Sequence, residues 1–252
     1  TVKLPKTKIT SDTDIGTIAF LGAGNYACRF LIPAFKKNGA ELHTIVSQGG
    51  VNASHYGKKY GFKNACTDES VVFSDTNIDT VVIATRHKLH ASQVIAALEA
   101  GKHVFCEKPL CITLDELQSI EATYKKNTSQ KLFIGFNRRY SPLIKQMKQT
   151  LAFSNQPKSI IITVNAGQIP ADHWVHDPID GGGRIIGEAC HFIDLAYYLV
   201  GHKCINNSAV ATEQLDSRVK LFDTAVINLS FADGSTATIH YLANGHKGFP
   251  KE

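Results

Sequence analysis

The chain has 252 residues, 43% of them hydrophobic, with 19 glycines, 8 prolines and a formal net charge of +5. This is ordinary globular composition, long enough for one large or two modest cores. The basic pairs Lys36-Lys37, Lys58-Lys59, Lys125-Lys126 and Arg138-Arg139 are too scattered for a nucleic-acid surface, and no apolar run reaches membrane-spanning length. No signal peptide precedes the first strand, so the expected location is cytoplasmic. Six cysteines, at positions 28, 66, 106, 111, 190 and 204, lie far apart without a C-x-x-C, which argues against a disulfide scaffold or a zinc knuckle and suits a reducing compartment.

Residues 1–13, rich in Lys, Thr and Asp with Pro5, read as a linker or extended arm. The chain opens on Thr1 rather than Met, which suggests a piece of something longer. Ile15 to Leu21 is a short apolar run of strand length, followed by Gly22-Ala23-Gly24-Asn25-Tyr26-Ala27. Ala27, Phe30, Leu31, Ala34 and Phe35 then recur with helical spacing. A strand, a G-x-G-x-x-A turn and an amphipathic helix in that order form the context of a dinucleotide site. Gly22 supplies the tight turn, Gly24 lets a pyrophosphate approach, Ala27 lets the helix lie close on its strand, and the helix N-terminus faces the phosphates. The motif alone would be an ordinary glycine turn; its flanks lift it above that. Glu41 to Ser47 reads as the second strand, and a ribose-holding carboxylate is due at Ser47. Neither an acid nor an arginine stands there, which leaves both NAD and NADP open.

Further on, helices are expected over 53–60, 89–100 and 114–126, with Thr67-Asp68-Glu69 opening a short one. Strands are expected over 79–85, 102–106 and 132–135. The alternation predicts a Rossmann-type doubly wound parallel sheet over residues 14–136. The pattern then changes: a strand over 159–166, a helix over 189–200, and strands 224–231 and 236–242 around the turn Ala232-Asp233-Gly234-Ser235. Residues 137–252 thus read as a second α/β domain with antiparallel pairing, thin enough to look incomplete at its C-terminal end.

Ligands of an open parallel sheet sit beyond the carboxyl ends of its strands. Glu107-Lys108-Pro109 follows such an end directly, and Pro109 restrains the residue before it, so Lys108 is aimed. A lysine there could hold a substrate hydroxyl or pass a proton, or be a plain surface-loop lysine. Three glycines precede Arg184, and glycine-rich backbone can approach a ligand closely; Glu188, His191 and Leu195 then share a face by α-helical spacing. His191 is a candidate acid/base, against the commoner case of a core histidine. His87, His90, His103 and Cys106 lack metal-ligand spacing, so no metal site is expected.

Together, the Gly22–Ala27 turn, Ala84-Thr85 with His90 after it, Glu107-Lys108-Pro109, and the Gly-rich turn before His191 and Asp194 resemble the Gfo/Idh/MocA oxidoreductases, relatives of glucose–fructose oxidoreductase and inositol dehydrogenase. The resemblance covers about residues 14–245. It implies a Rossmann domain followed by an α/β domain with a large, mostly antiparallel sheet, and hydride transfer between NAD or NADP and a carbon of a sugar, nucleotide sugar or cyclitol. Lys108 and His191 would be catalytic, with Glu188 beside Gly187, where the family often has an aspartate. Gly22, Gly24, Asn25, Tyr26, Ala27, Ser47, Thr85, His90, Glu107 and Lys108 would line the cofactor, and Asn137, Arg138 and Asp194 the substrate. The segments Gly135–Pro142 and Gly183–Asp194 further resemble the bi-domain subgroup of bacterial surface-polysaccharide clusters. The implied partners are a small carbohydrate and further copies of the chain, joined through the second-domain sheet, with no nucleic acid or membrane. Two other readings come with the resemblance: a dinucleotide-binding sensor or scaffold without turnover, and a glycosidase that retains NAD as a transient oxidant.

Overall fold

A computed structural model describes residues 1–3, 16–212, 221–246 and 248–251. The chain divides into two compact units, Thr1–Gly135 and Phe136–Glu252. The expected arm over 1–13 lies mostly outside the described residues; its start, Val2–Lys3 (β1), pairs antiparallel with Asn64–Cys66 (β4) and so belongs to a sheet.

In the first unit, Thr17–Leu21 (β2), Glu41–Val46 (β3), Thr80–Ile83 (β5), His103–Cys106 (β6) and Leu132–Ile134 (β7) join β1 and β4 in a seven-stranded sheet. Its order is β1-β4-β3-β2-β5-β6-β7, and every pair but β1–β4 is parallel. The winding direction therefore reverses at β2, which has β3 on one side and β5 on the other. The central strands are apolar on both faces because helices cover both. On one side Ile18, Phe20, Ile45 and Val82 pack with Ile32 of Ile32–Lys37 (α1) and Ala53 of Val51–Tyr60 (α2). On the other, Ala19, Leu21, Val81, Ile83 and Cys106 pack with Val72 of Ser70–Ser74 (α3), Val94 of His87–Glu99 (α4) and Ile120 of Leu114–Lys126 (α5). The start of α5 is fixed by a capping box, Thr113 with Glu116, a device worth about 1 kcal/mol.

One expectation fails in an instructive way. The stripe Ala27, Phe30, Leu31, Ala34, Phe35 presumes α-helical pitch, but Ala27–Leu31 is a π-helical turn, closed by the Ile32 amide on the Ala27 carbonyl. The wider turn holds one extra residue and rotates everything after it. Ala27, Cys28 and Ile32 are buried, whereas Phe30 is 61% exposed. The Tyr60 hydroxyl donates to the Cys28 carbonyl within this turn, at 2.6 Å.

The second unit holds Pro142–Leu151 (α6), Cys190–Val200 (α7) and a four-stranded sheet in the order Ser159–Asn165 (β8), Thr236–Leu242 (β11), Ala225–Phe231 (β10) and Cys204–Ala211 (β9). The β10–β11 hairpin and β9 are antiparallel, while β8 runs parallel to β11. Alternate residues Ile227, Leu229, Phe231, Ala237, Ile239 and Tyr241 form a core with Phe192, Ala196 and Val200 of α7. The alternate positions on the other face include Ile161, Thr163, Val226, Asn228, Thr238, His240, Ser208 and Val210, none a formal charge at neutral pH with histidine uncharged. Strand β9 and helix α6 escape the sequence pattern: β9 is exposed on both faces after its first residue, so its side chains show no two-residue alternation.

Candidate functional site

The carboxyl end of β2 turns at Gly22, whose φ is +100 and whose amide donates to Val46 at the end of β3 (2.9 Å). A Cβ at Gly22 would stand 2.4 Å from the Ala84 carbonyl, so the neighbouring strand end leaves room for glycine alone. At Gly24 a Cβ would meet nothing within 4 Å: the space beside this turn is open. Ala27, by contrast, is buried, and the Cys28 amide donates to the Gly24 carbonyl (2.9 Å). These are the features a bound pyrophosphate requires: a tight turn, open space against the backbone, and a small residue where helix meets strand. The residues present fit a dinucleotide. Asn25 and Tyr26 are exposed on the same turn, and half-buried Ser47 directly follows β3, its amide donating to Cys66 (3.1 Å).

Across the winding reversal lies Ala84-Thr85. The Thr85 hydroxyl donates to the Gln93 amide oxygen Oε1 (2.7 Å), and the Gln93 amide nitrogen Nε2 donates to Glu69 (2.5 Å). Gln93 is thus part of the frame, although the sequence reading passed over it. Its signal was there: a glutamine one residue before Val94, on the apolar side of α4. Beyond β6, the Glu107 amide donates to Ile83 (2.9 Å) and the Gly135 amide to Cys106 (2.8 Å), so this strand end is tied on both flanks. Glu107 is buried, and burial pushes its carboxyl up to about 6, against the opposing pull of Lys108. A Cβ on Gly135 would stand 2.7 Å from its Oε1, so glycine there makes room for the acid. Lys108 is half-buried and directly precedes Pro109 through a cis peptide bond.

His90 departs from expectation. It is only 1% exposed, and its Nδ1 and Nε2 lie 2.6 Å and 3.2 Å from the Pro109 and Thr85 carbonyls. Both ring nitrogens are turned to the protein's own backbone rather than to a cofactor.

In the second unit, His191 is buried in the first turn of α7, its ring 6.2 Å from that of Phe136. The 3₁₀ turn Asn137–Tyr140 meets the same helix: the Arg138 guanidinium lies 4.4 Å from the Phe192 ring, and Arg139 binds both carboxylate oxygens of Asp194, Nε to Oδ2 at 2.9 Å. Asp194, expected against substrate, is therefore committed to Arg139, a bidentate pair that fixes orientation. Asn137 is exposed.

Glu188 is a second correction. Ile185–Ala189 is another π-helical turn, so the α-helical face assumed for Glu188, His191 and Leu195 does not form. Its carboxylate accepts from Arg184 (3.2 Å), Lys251 (3.0 Å) and the Tyr241 hydroxyl. Burial pushes Glu188 up, but hydrogen bonds from Tyr241 and Lys251 and the charges of Lys251 and Arg184 outweigh it and hold the carboxyl at about 2. A group so firmly ionised is an anchor rather than a proton carrier near neutrality. The glycines before it also serve the chain's own packing: a Cβ at Gly181 would stand 2.4 Å from Val175 Cα.

Two units, one a doubly wound sheet with a glycine turn at its winding reversal and one a four-stranded sheet packed on the helix that carries His191, define a dinucleotide-binding oxidoreductase architecture. Residues 17–136 match the model of the oxidoreductase family with NAD-binding Rossmann fold, and residues 156–250 match the GFO/IDH/MocA C-terminal domain. The chain belongs to the GFO/IDH/MocA oxidoreductase family. It is 30% identical over 190 residues to myo-inositol 2-dehydrogenase of Thermotoga maritima, covering 72% of this chain and 55% of that protein. It is 28% identical over 227 residues to levoglucosan dehydrogenase of Pseudarthrobacter phenanthrenivorans, covering 77% of this chain and 57% of that one. A solved structure of levoglucosan dehydrogenase in complex with NADH and levoglucosan superposes with a TM-score of 0.82 at 25% identity, over 92% of this chain and 68% of that one. The chain spans about half the length of the curated relatives it matches. Among the described residues, no helix is long and apolar enough to cross a membrane.

Proposed function

We propose that this protein is an NAD- or NADP-dependent dehydrogenase that oxidises a hydroxyl-bearing carbon of a sugar or cyclitol. The observation that carries the reading is Lys108 at the carboxyl end of β6, in the same sheet whose winding reverses at the Gly22–Ala27 turn. Relatives named for myo-inositol and levoglucosan support a polyhydroxylated substrate. A bound nicotinamide would supply the acceptor for the hydride of the carbinol carbon. Lys108 donates a hydrogen bond to the hydroxyl oxygen and stabilises the charge that gathers there as its O–H breaks. His191 takes the proton, which leaves a carbonyl on the product. Gly22, Gly24, Asn25, Tyr26 and Ala27 cradle the pyrophosphate, while Ser47 stands where the adenosine ribose is read. Thr85 and Glu107 frame the crevice floor. Asn137 and Arg138 are assigned to substrate, while Asp194 and Glu188 hold α7 in place.

The uncharged outer face of the second-unit sheet supports self-association, since a half-apolar face of this kind resembles an interface more than a solvated surface. Reduction of NAD⁺ or NADP⁺ by a panel of cyclitols, anhydrosugars, aldoses and nucleotide sugars tests the activity. Turnover with any of them supports the dehydrogenase. Tight NADH binding with no net reduction across the panel would replace it with one of the two other readings, the glycosidase that retains NAD or the sensor.

A further inference from the structure

We propose that His90 is a positioning residue: it clips the Pro109 carbonyl to helix α4 and thereby holds Lys108 in place. The proposal deepens the reading above, in which Lys108 works on the substrate.

Proline has no N–H, so at Pro109 the backbone loses one of the two groups by which a chain is normally tied down. The carbonyl is the remaining handle, and His90 Nδ1 reaches it at 2.6 Å. The imidazole comes from a rigid support, since Ala91, Val94, Ala97 and Leu98 of the same helix are buried in the core of the first unit. A neutral imidazole carries one N–H, yet both ring nitrogens face carbonyls, with Thr85 at 3.2 Å from Nε2. The shorter contact places the proton on Nδ1, donated to Pro109. Burial pushes the imidazole's pKa down, which keeps the neutral, single-donor form. Thr85 then sits against Nε2 without receiving a proton from it, so the directional bond belongs to the lysine's turn. An ordinary core histidine could spend its proton on any nearby carbonyl; this one spends it on the residue directly after Lys108.

The chemistry of the two nitrogens makes the proposal separable from mere packing. In His90→Asn the amide nitrogen is attached to Cγ, as Nδ1 is, and can still donate to Pro109. In His90→Gln the amide nitrogen lies one bond further out, near the place of Nε2, and reaches Thr85 instead. His90→Phe keeps the ring volume and donates nothing. Hydrogen–deuterium exchange of the free protein, read at the amides of Lys108 and Leu110, should rise about tenfold in the Phe and Gln variants and stay within about threefold of the parent in the Asn variant. Equal exchange in all four proteins, or equal acceleration in all three variants, overturns the clip.

Turnover with the best panel substrate gives a second readout. The Phe variant should lose about tenfold in kcat with the dinucleotide KM unchanged, and lose nothing further in a Lys108→Ala background. A Phe-variant loss that persists undiminished in that background overturns positioning through the lysine. If Lys108→Ala itself keeps full turnover, the lysine's chemical role falls, while the clip is judged by exchange alone.

Discussion

In the first unit, most ties of the candidate site run to backbone groups, beside one side-chain relay from Thr85 through Gln93 to Glu69. Glu107 hangs from the Ile83 carbonyl, His90 grips Pro109, and the glycine turn is pinned to Val46. In the second unit, side-chain pairs do that work: Arg139 on Asp194, Arg138 over Phe192, and Arg184, Tyr241 and Lys251 on Glu188. Strand ends tied by backbone bonds follow from sheet topology, and His90 is the side chain that extends those ties to the Lys108 turn. A site held by charge pairs depends on particular residues and on pH.

The strongest challenge to this contrast is chemical. Lys108→Ala and His191→Ala should each lower kcat by about 10²–10⁴-fold while leaving dinucleotide affinity within about twofold, as expected for groups that act in the transition state. Steady-state kinetics beside NADH titration checks this, and a variant that keeps parent turnover removes its residue from the mechanism.

The two motif glycines should part company. Gly24→Val puts its side chain into open space, so the melting temperature should hold while the NADH dissociation constant rises about tenfold or more. Gly22→Ala meets the Ala84 carbonyl and takes an unfavourable φ, so it should cost about 1–3 kcal/mol of stability as well as binding. Thermal melts and titrations of both variants would show whether the turn is backbone-determined.

In the second unit the charge pairs carry a pH dependence of their own, at the acid end. Glu188 is held at about 2, below its ordinary value, so its ionised form favours the native state. That contribution is complete above about pH 5 and drains away as pH falls towards 2. Glu188→Gln should destabilise the protein by about 1–3 kcal/mol at neutral pH and flatten the acid limb of its stability curve, measured by denaturant melts from neutral to acidic buffer.

The smallest effect concerns cofactor choice. With Ser47 where a carboxylate would repel a 2′-phosphate, NADH and NADPH should bind within about tenfold of each other, or about 1.4 kcal/mol. Ser47→Asp should weaken NADPH selectively; a parent that already rejects NADPH would assign discrimination to another residue.

The sequence was most readable where one local rule sufficed. Strand, glycine turn and helix are contiguous, so the glycine turn after β2 could be placed from spacing alone, and helix α5, Leu114 to Lys126, was bounded by Asp115 and Glu116 in its first turn and Lys125 and Lys126 in its last. It was least readable where partners are remote. Nothing near Glu188 announces Tyr241 or Lys251, 53 and 63 residues away, and nothing near Asp194 announces Arg139, 55 residues before it. His90 falls between: its place in the motif was plain, but its partner, Pro109, lies 19 residues on. Helical faces failed for a third reason, because the period itself changes at Ala27–Leu31 and Ile185–Ala189.

Those two turns also bear on what the chain can lose. A π-helical turn holds one residue more than α-helical pitch would use for the same stretch. Deleting a single residue between Ala27 and Leu31 would let the backbone close into regular α-helix with its hydrogen bonds intact, so the helix itself would survive. The side chains beyond would keep their places, Ile32 against the sheet among them, because the deletion removes the residue that the wider turn absorbs. One residue can therefore be lost within the turn with the buried face kept, whereas a deletion in the α-helix after it, Ile32–Lys37, would rotate the side chains that follow by about 100° and take them off that face.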